Sequence, residues 1–434
     1  MAQRRLVVVG ASLAGLRAVE AARTAGFDGR IVLVGAEEHL PYDRPPLSKT
    51  FLGRGGVRPL PTFRERRDLV DGLGVELMLG TPATGLDTAG RTVTVGDAPL
   101  GYDALVIATG ARARRPGGVD RLDGVHCLRT ADDARALRAS LDDARSGVAV
   151  IGGGFIGSEV ASAARARGLP VTVLEARPAP LIRALGAEMG ALCARLHARH
   201  GTTVRCGVTV TGVEGDGRVE RVLLADGGVV PADVVVIGVG ADPVTGWLEG
   251  SGLELSDGVV CDETLATDSP GVYAAGDVAR WHNRALMRRM RLEHWTSAAE
   301  QGAVAARNAV AVAPPETYET VPYFWSDWYG TRLQFVGLPE AEKTEVFGDP
   351  SDGRCVALYR DEDRLVGALV VNRRALTMRL RALIRRRATW HEAVTLVADS
   401  AAPAASSVVD RSLTGSGRAV PLDDHDTSRT MRRK

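Results

Sequence analysis

Two glycine-rich segments have the spacing of dinucleotide-binding loops, GASLAG at residues 10–15 and GGGFIG at residues 152–157. Each follows an apolar run and opens a helical pattern. In such loops the first glycine permits a tight turn, the last lets the helix pack on the strand, and free N–H groups of the helix bind a pyrophosphate. Ser12 replaces the middle glycine of the first loop, whereas the second matches G-x-G-x-x-G in full. The sequence therefore predicts two nucleotide sites.

Carboxylates follow both loops at the ends of the next predicted strands. Glu175 occupies the position that accepts an adenosine 2′-hydroxyl and repels a 2′-phosphate, so we expect NADH to be preferred over NADPH. Arg177 nearby would weaken that preference. At the first site Ala36 stands at the usual acidic position, so we assign the ribose contact to Glu37, with Glu38 as the alternative.

Some of the cysteines and histidines are candidate metal ligands. Cys193, His197, His200 and Cys206 lie close in sequence, but C-x3-H-x2-H is not a standard zinc spacing. A helix over residues 188–200, stopped by Gly201, explains the pattern better, and we predict no metal site. None of the five cysteines forms a C-x-x-C pair, so neither a redox dithiol nor an iron–sulfur binding run is expected.

The elements that must position these residues follow from apolar periodicity. Runs at 6–9, 31–34, 104–108 and 272–274 predict buried strands, with a helix over 13–24. A second set at 148–151, 171–174 and 234–239, with a helix over 155–167, repeats the βαβ pattern. From about residue 322 four short runs (332–336, 343–347, 355–359 and 365–371), a turn at 361–363 and an arginine-rich helix over 375–387 predict a small antiparallel sheet with a helix.

Composition limits the classes of function. With 434 residues, 45% apolar residues and a net charge of +1, the chain suits several globular domains and argues against bulk electrostatic binding to nucleic acid or an anionic membrane. No run of about 18 apolar residues predicts a transmembrane helix. The first residues lead directly into a predicted strand, which leaves no room for a targeting segment. We therefore expect a cytoplasmic protein.

Six further segments complete a family pattern. They are PYDRPPLSK at 41–49, ATG at 108–110, GVGADP at 238–243, VYAAGD at 272–277, RLEHW at 291–295 and PYFWSD at 322–327. Together with the two loops, they resemble the FAD-dependent NADH:ferredoxin reductases of bacterial oxygenase systems. These reductases are pyridine nucleotide-disulfide oxidoreductases that lack the redox disulfide. The resemblance spans about residues 4–395, with Trp328 standing where Gln is usual.

The fold implied is α/β. An NAD-binding Rossmann-like domain (112–240) would be inserted into an FAD-binding Rossmann-like domain (1–111 and 241–321), and a C-terminal α+β reductase domain (322–401) would follow. Residues 402–434 are small and polar, and we expect a disordered tail. Both a monomer and a homodimer are compatible with the sequence.

The resemblance also implies roles for single residues. Lys49 would lie near flavin N5 and O4, where a cation stabilises negative charge, and Glu159 would pair with it. Trp295 and Trp325 would wall the isoalloxazine, although ordinary core aromatics are the alternative. Asp277 would bind the ribityl and phosphate groups.

The full set of FAD contacts implied is Gly10, Ser12, Ala14, Gly15, Glu37, Arg44, Pro45, Lys49, Ala108, Thr109, Gly110, Gly276, Asp277, Glu293, His294 and Trp295. The NAD contacts implied are Gly152, Gly154, Phe155, Ile156, Gly157, Glu159, Glu175 and Gly240.

The activity implied is hydride uptake from NADH and single-electron transfer to a small acidic iron–sulfur ferredoxin that feeds a haem-thiolate monooxygenase or a Rieske dioxygenase. No cysteine precedes Cys127, so we expect electrons to leave directly to an external acceptor. Docking arginines would be Arg288, Arg289 and Arg291, with residues 373–374 and 385–387 as a second cluster; solvated charged faces are the alternative. Another acceptor (rubredoxin, monodehydroascorbate or oxygen) and an NADH-sensing protein like apoptosis-inducing factor remain open.

Overall fold

The computed structural model describes residues 4–55, 59–117 and 122–400. Two parallel sheets and one antiparallel sheet organise the chain. The α-helices are α1 (Leu13–Thr24), α2 (Ala131–Asp143), α3 (Phe155–Ala166), α4 (Ile182–Arg199), α5 (Trp295–Val310), α6 (Arg374–Arg385) and α7 (Trp390–Asp399).

The first sheet is parallel and buried. Its strands, in spatial order, are Val272–Ala274, Ala104–Ile107, Arg5–Val9, Arg30–Val34 and Val75–Met78. Their near-continuous apolar sequence suits burial on both faces. Helices α1 and α5 pack tightly together beside the sheet, because Gly302 leaves its Cα against the backbone of Ala14.

The second sheet is also parallel. Its strands come from the chain between the strands Ala104–Ile107 and Val272–Ala274 of the first sheet. Its strands, in spatial order, are Thr203–Cys206, Val171–Glu175, Val148–Ile151, Val234–Ile237 and Val125–Cys127. The outgoing and returning chain pair as short antiparallel strands, Ala111–Ala113 and Ala241–Pro243. The second Rossmann-like domain is thus inserted into the first.

The C-terminal sheet is antiparallel. Its strands, in spatial order, are Tyr323–Trp328, Thr331–Gly337, Arg364–Val371, Arg354–Asp361 and Lys343–Asp349. Helices α6 and α7 share a core with one side of this sheet. Residues of α4 share another core with Trp328 and Phe335, which joins the inserted domain to the C-terminal domain.

Smaller elements complete the described chain. Three further sheets have three strands each. The first contains Ala83–Asp87, Thr92–Val95 and Ala98–Gly101, and the second contains Val210–Glu214, Arg221–Leu224 and Val229–Pro231. The third contains Val259–Cys261, Ala279–Asn283 and Arg288–Met290. Short helical turns are Pro45–Ser48, Thr50–Leu52, Asp68–Gly72, Gly246–Leu248, Gly276–Val278 and Pro350–Asp352.

Most predicted elements are confirmed, with differences at the inserted and C-terminal domains. Helix α4 begins at Ile182, earlier than residue 188, and continues past a kink at Gly186, whose φ is 77°. The segment 323–328, which we interpreted only as a motif, is an edge strand. The expected tail, 402–434, lies outside the described residues. No described helix is long and apolar enough to cross a membrane.

Candidate active site

A single cleft of about 1590 Å³ brings both glycine-rich loops together. It is lined by nearly every residue implied for the two cofactor sites, the exceptions being Gly15 and Gly157. These two glycines lie behind the loops, where a Cβ would come within 1.9 Å of Gly10 O and 2.2 Å of Gly152 O respectively. Their role is therefore the close helix packing that the sequence predicted.

Both helices that follow the loops present open N-termini to the cleft. The N-cap residues Ser12 and Gly154 make no side-chain capping hydrogen bond, and neither first turn contains an acidic residue. Free N–H groups and the positive end of each helix dipole suit an anionic pyrophosphate. The Ser12 hydroxyl instead accepts a hydrogen bond from Arg44 Nε at 3.2 Å, which brings a guanidinium to the first loop.

Glu37 lies in the cleft beyond the strand Arg30–Val34, and two neighbours hold its carboxylate. Arg44 Nη2 lies 2.6 Å from Oε1, and the Tyr42 hydroxyl donates to Oε2 at 2.6 Å. Burial raises the pKa of Tyr42 above its usual value, so the phenol remains a donor. The carboxylate has a fixed orientation even though Ala36 replaces the usual acidic residue.

Glu175 is fixed by the backbone of the second loop. Its Oε2 accepts a hydrogen bond from Gly153 N at 2.7 Å, and its Oε1 accepts one from Arg177 N at 2.8 Å. Arg177 and Arg183 also line the cleft. The carboxylate therefore stands beside the loop that would hold the adenosine phosphates.

Lys49 and Glu159 form an ion pair where the two halves of the cleft meet. Lys49 Nζ lies 2.7 Å from Glu159 Oε2, and Glu159 is only 4% exposed. The Ser48 hydroxyl donates to the same oxygen, and the Ser326 hydroxyl donates to Oε1 at 2.5 Å. A buried ion pair needs such additional hydrogen bonds to offset its desolvation.

Aromatic residues wall the cleft around this pair. Trp295 donates its indole N–H to Asp43 Oδ1 at 2.8 Å, and its ring lies edge-on to that of Trp325 with centroids 6.2 Å apart. Burial raises the pKa of Asp43. His294 lines the cleft too, and burial lowers its pKa to about 4, so its ring is neutral near pH 7.

Further polar residues at the cleft were missed from the sequence. Arg129 Nη2 lies 2.6 Å from Asp277 Oδ2, so the carboxylate expected to bind the ribityl chain is already paired with a cation. Tyr42 and Asp43 belong to the 41–49 segment, and their position in that motif is the sequence signal that points to them. Arg129 belongs to no motif that we recognised, and only tertiary structure brings it to Asp277.

The structure also describes the surroundings of Arg291 and His197. Arg291 was grouped with the exposed docking arginines, but its side chain is only 11% exposed, lines the cleft, and donates to Glu293 Oε1 at 2.8 Å and Asp277 O at 3.1 Å. It is therefore less exposed than Arg288 and Arg289, and its role in docking stays a prediction. His197 is bonded to Ser158 and Tyr329, and the described residues contain no cluster that could hold a metal ion.

Family models match the chain in two parts. The pyridine nucleotide-disulphide oxidoreductase model matches residues 4–302, and the reductase C-terminal model matches residues 323–406. The chain belongs to the pyridine nucleotide-disulphide oxidoreductase family. Members of this family bind FAD and NADH, and the two open helix N-termini facing one cleft fit two pyrophosphate groups.

Individual relatives in this family cover most of the chain. The biphenyl dioxygenase system ferredoxin–NAD(+) reductase component of Paraburkholderia xenovorans (strain LB400) is 39% identical over 84% of this chain and 88% of its own length. A crystallised ferredoxin reductase for the CYP199A2 system from Rhodopseudomonas palustris is 32% identical, with a TM-score of 0.86 over 92% of this chain and 100% of that one. Putidaredoxin reductase in its covalent complex with putidaredoxin is 32% identical, with a TM-score of 0.84 over 89% and 94%.

Proposed function

We propose that this chain is an FAD-dependent ferredoxin–NAD(+) reductase. It takes a hydride from NADH and passes single electrons to a small iron–sulfur ferredoxin that feeds an oxygenase. The observation that carries the proposal is the buried Lys49–Glu159 pair at the junction of the two nucleotide halves of the cleft. The names of relatives that match over most of their length support the same activity.

Each half of the cleft has its own cofactor in this proposal. Bound FAD and NADH supply hydride transfer and two-electron storage, with release of one electron at a time. The N-terminus of α1 would hold the FAD pyrophosphate, and that of α3 the NADH pyrophosphate. Arg44, beside Ser12, would add a cation at the FAD phosphates.

The residues between the two halves control charge and water. The Lys49 ammonium, fixed by Glu159, would stabilise negative charge that develops on the flavin ring. Trp295 and Trp325 would exclude water from the reacting face. Glu175, held by backbone N–H groups, would accept the 2′-hydroxyl of NADH and disfavour NADPH.

The docking surface that we propose is the hairpin formed by the strands Ala279–Asn283 and Arg288–Met290. Arg288 and Arg289 are about half exposed and have only distant partners, Glu340 at 3.5 Å and Glu254 at 3.9 Å. The less exposed Arg291 lies two residues beyond Arg289 and lines the cleft. An acidic ferredoxin would therefore meet exposed and only loosely paired positive charge close in sequence to the cofactor site. The arginines at 373–374 and 385–387 form a second possible contact.

Electron transfer to an added ferredoxin tests the proposal. The purified protein is assayed for NADH-dependent cytochrome c reduction with and without a two-iron ferredoxin, and again with NADPH. At the pH of the cytoplasm, we expect cytochrome c reduction to be fast only when both NADH and ferredoxin are present. Rapid flavin bleaching without any ferredoxin effect would select a different acceptor. No bleaching by NADH would overturn the catalytic proposal in favour of a redox-sensing role.

A further inference from the structure

The carboxylate of Glu159 accepts hydrogen bonds from donors in two other domains. From the FAD-binding domain, the Ser48 hydroxyl donates to Oε2, and Lys49 Nζ forms an ion pair with the same oxygen. Ser326, from the C-terminal domain, donates to Oε1 at 2.5 Å. Because each carboxylate oxygen is held from a different side, the group cannot rotate without breaking one of these bonds.

Burial makes the contribution of Ser326 hard to replace. Ser326 is fully buried, and Glu159 is nearly so. Among the described residues Oε1 has no donor other than this hydroxyl. A buried acceptor that loses its donor keeps its full desolvation penalty, because solvent cannot take the donor's place. If the Ser326 hydroxyl is removed, we therefore expect the Glu159 carboxylate to move.

Ser326 is carried by a rigid element. It lies in the strand Tyr323–Trp328, where it is paired in antiparallel register with Leu333 of the neighbouring strand. The preceding residue, Trp325, lines the cleft, whereas Ser326 does not. The strand also packs against α3, which carries Glu159. The C-terminal sheet can thus fix the carboxylate without contacting a cofactor.

We propose that Ser326 is a positioning residue for hydride transfer, which acts by orienting Glu159 and thereby fixing the Lys49 ammonium in the cleft. The inference rests on the reductase function proposed above and adds a role for the C-terminal domain within it. Since Ser326 itself lies outside the cleft lining and acts only through Glu159, its removal affects the reactive step more than NADH binding.

Single-turnover reduction of the bound flavin by NADH tests this role. We expect Ser326→Ala to slow reduction at saturating NADH by roughly tenfold, because small displacements of an aligned group have large kinetic effects. The dissociation constant of NADH changes by less than the rate does, and the midpoint potential of the FAD falls because Lys49 is less well placed. The matched control is Ser162→Ala. The Ser162 hydroxyl accepts from Tyr329 N at 2.7 Å, so it also joins α3 to the C-terminal domain, without contacting Glu159.

A second background shows whether Ser326 acts through Glu159. In Glu159→Gln protein, adding Ser326→Ala is expected to cause no further slowing. The proposal is overturned if Ser326→Ala reduces at the wild-type rate, if Ser162→Ala slows reduction as much, or if the two effects multiply in the double variant. Loss of FAD from Ser326→Ala alone would also overturn it, since that indicates a structural role. Failure of the wild-type protein to be reduced by NADH would instead reject the reductase function.

Discussion

Glu175 shows how much a single side chain can determine when its orientation is fixed. Both of its oxygens accept hydrogen bonds from backbone N–H groups, which hold the carboxylate in one orientation beside the second glycine-rich loop. A fixed negative charge discriminates against a phosphate more strongly than a mobile one, because it cannot move away. Arg177 and Arg183, which also line the cleft, would attract that phosphate once the carboxylate charge is gone.

Neutralising Glu175 is therefore expected to relax cofactor choice. In Glu175→Gln we predict that the ratio of kcat/KM for NADH to that for NADPH falls by at least roughly tenfold, since one charged hydrogen bond is lost and one repulsion removed. The measurement is steady-state dye reduction with each nucleotide. Glu214→Gln, an exposed change in the same domain, is the control. An unchanged ratio would contradict the assignment of Glu175.

Residues of the site differ in how far sequence could predict them. Lys49 and Glu159 were implied by two motifs, and the structure brings their charges within 2.7 Å. Ser326 was inside a recognised segment but had no assigned role, because its partner lies 167 positions away. Arg129 carried no signal. Contacts between domains depend on tertiary packing, which local spacing does not encode.

The first glycine-rich loop leads into α1, which makes a close contact with α5. Gly302 of α5 faces α1 at Ala14, and a Cβ on Gly302 would lie 2.1 Å from the Ala14 carbonyl oxygen. The Cβ would be fixed to the backbone of one helix and the oxygen belongs to the backbone of the other, so neither can move aside without distorting a helix. Helix α5 also begins at Trp295 in the cleft, so separation of α1 from α5 would disturb both the loop and the aromatic wall.

We accordingly expect Gly302→Ala to weaken FAD retention and to lower the free energy of unfolding by about 1–3 kcal/mol or more, as overpacking does. Thermal denaturation and the ratio of flavin to protein absorbance measure the two effects. Gly246→Ala is the control, because a Cβ there meets nothing within 4 Å. Equal stability of the two variants would show that the helix pair tolerates the added methyl group.

The basic hairpin before Arg291 gives a second prediction at this scale. Reversing charge in Arg288→Glu/Arg289→Glu should raise the KM for ferredoxin by roughly tenfold at low ionic strength, and less at high salt, because the attraction is electrostatic. NADH oxidation with a small dye should not change. Arg66→Glu/Arg67→Glu, two adjacent exposed arginines, provides the same change in charge elsewhere. A KM equal to that of this control would reject the hairpin as a docking surface.

Strands and helices were predictable where one periodicity dominated. Parallel strands with a continuous apolar run, such as Val148–Ile151, were recognised, whereas the parallel strands Val75–Met78 and Thr203–Cys206, which contain charged residues, were not. The edge strand Tyr323–Trp328 mixes aromatic and polar residues and gave no clear alternation. The start of α4 was missed because Gly186 interrupts the pattern with a left-handed φ of 77°. Local sequence therefore indicates buried elements better than those at domain contacts.

The domains of the whole molecule are joined by a polar network around His197. Its Nε2 lies 3.1 Å from Ser158 Oγ on α3, and its Nδ1 lies 2.8 Å from the Tyr329 hydroxyl in the C-terminal domain. The Tyr329 ring also stacks on His200, with centroids 4.5 Å apart. His197 is fully buried, and burial, with a smaller contribution from the nearby His200, lowers its pKa from 6.5 to about 4.

This shift makes the domain arrangement sensitive to acid. Between pH 6.5 and pH 4 the unfolded chain binds a proton at His197 that the folded chain does not, so stability falls as the pH falls through that window. The full effect is about 3 kcal/mol. In His197→Gln the urea denaturation midpoint, followed by circular dichroism from pH 7 to pH 4.5, should depend less steeply on pH than in the wild-type protein. His391→Gln, at an exposed position, should keep the wild-type slope. If His197→Gln keeps the wild-type slope as well, protonation of His197 is not the cause of the loss of stability in acid.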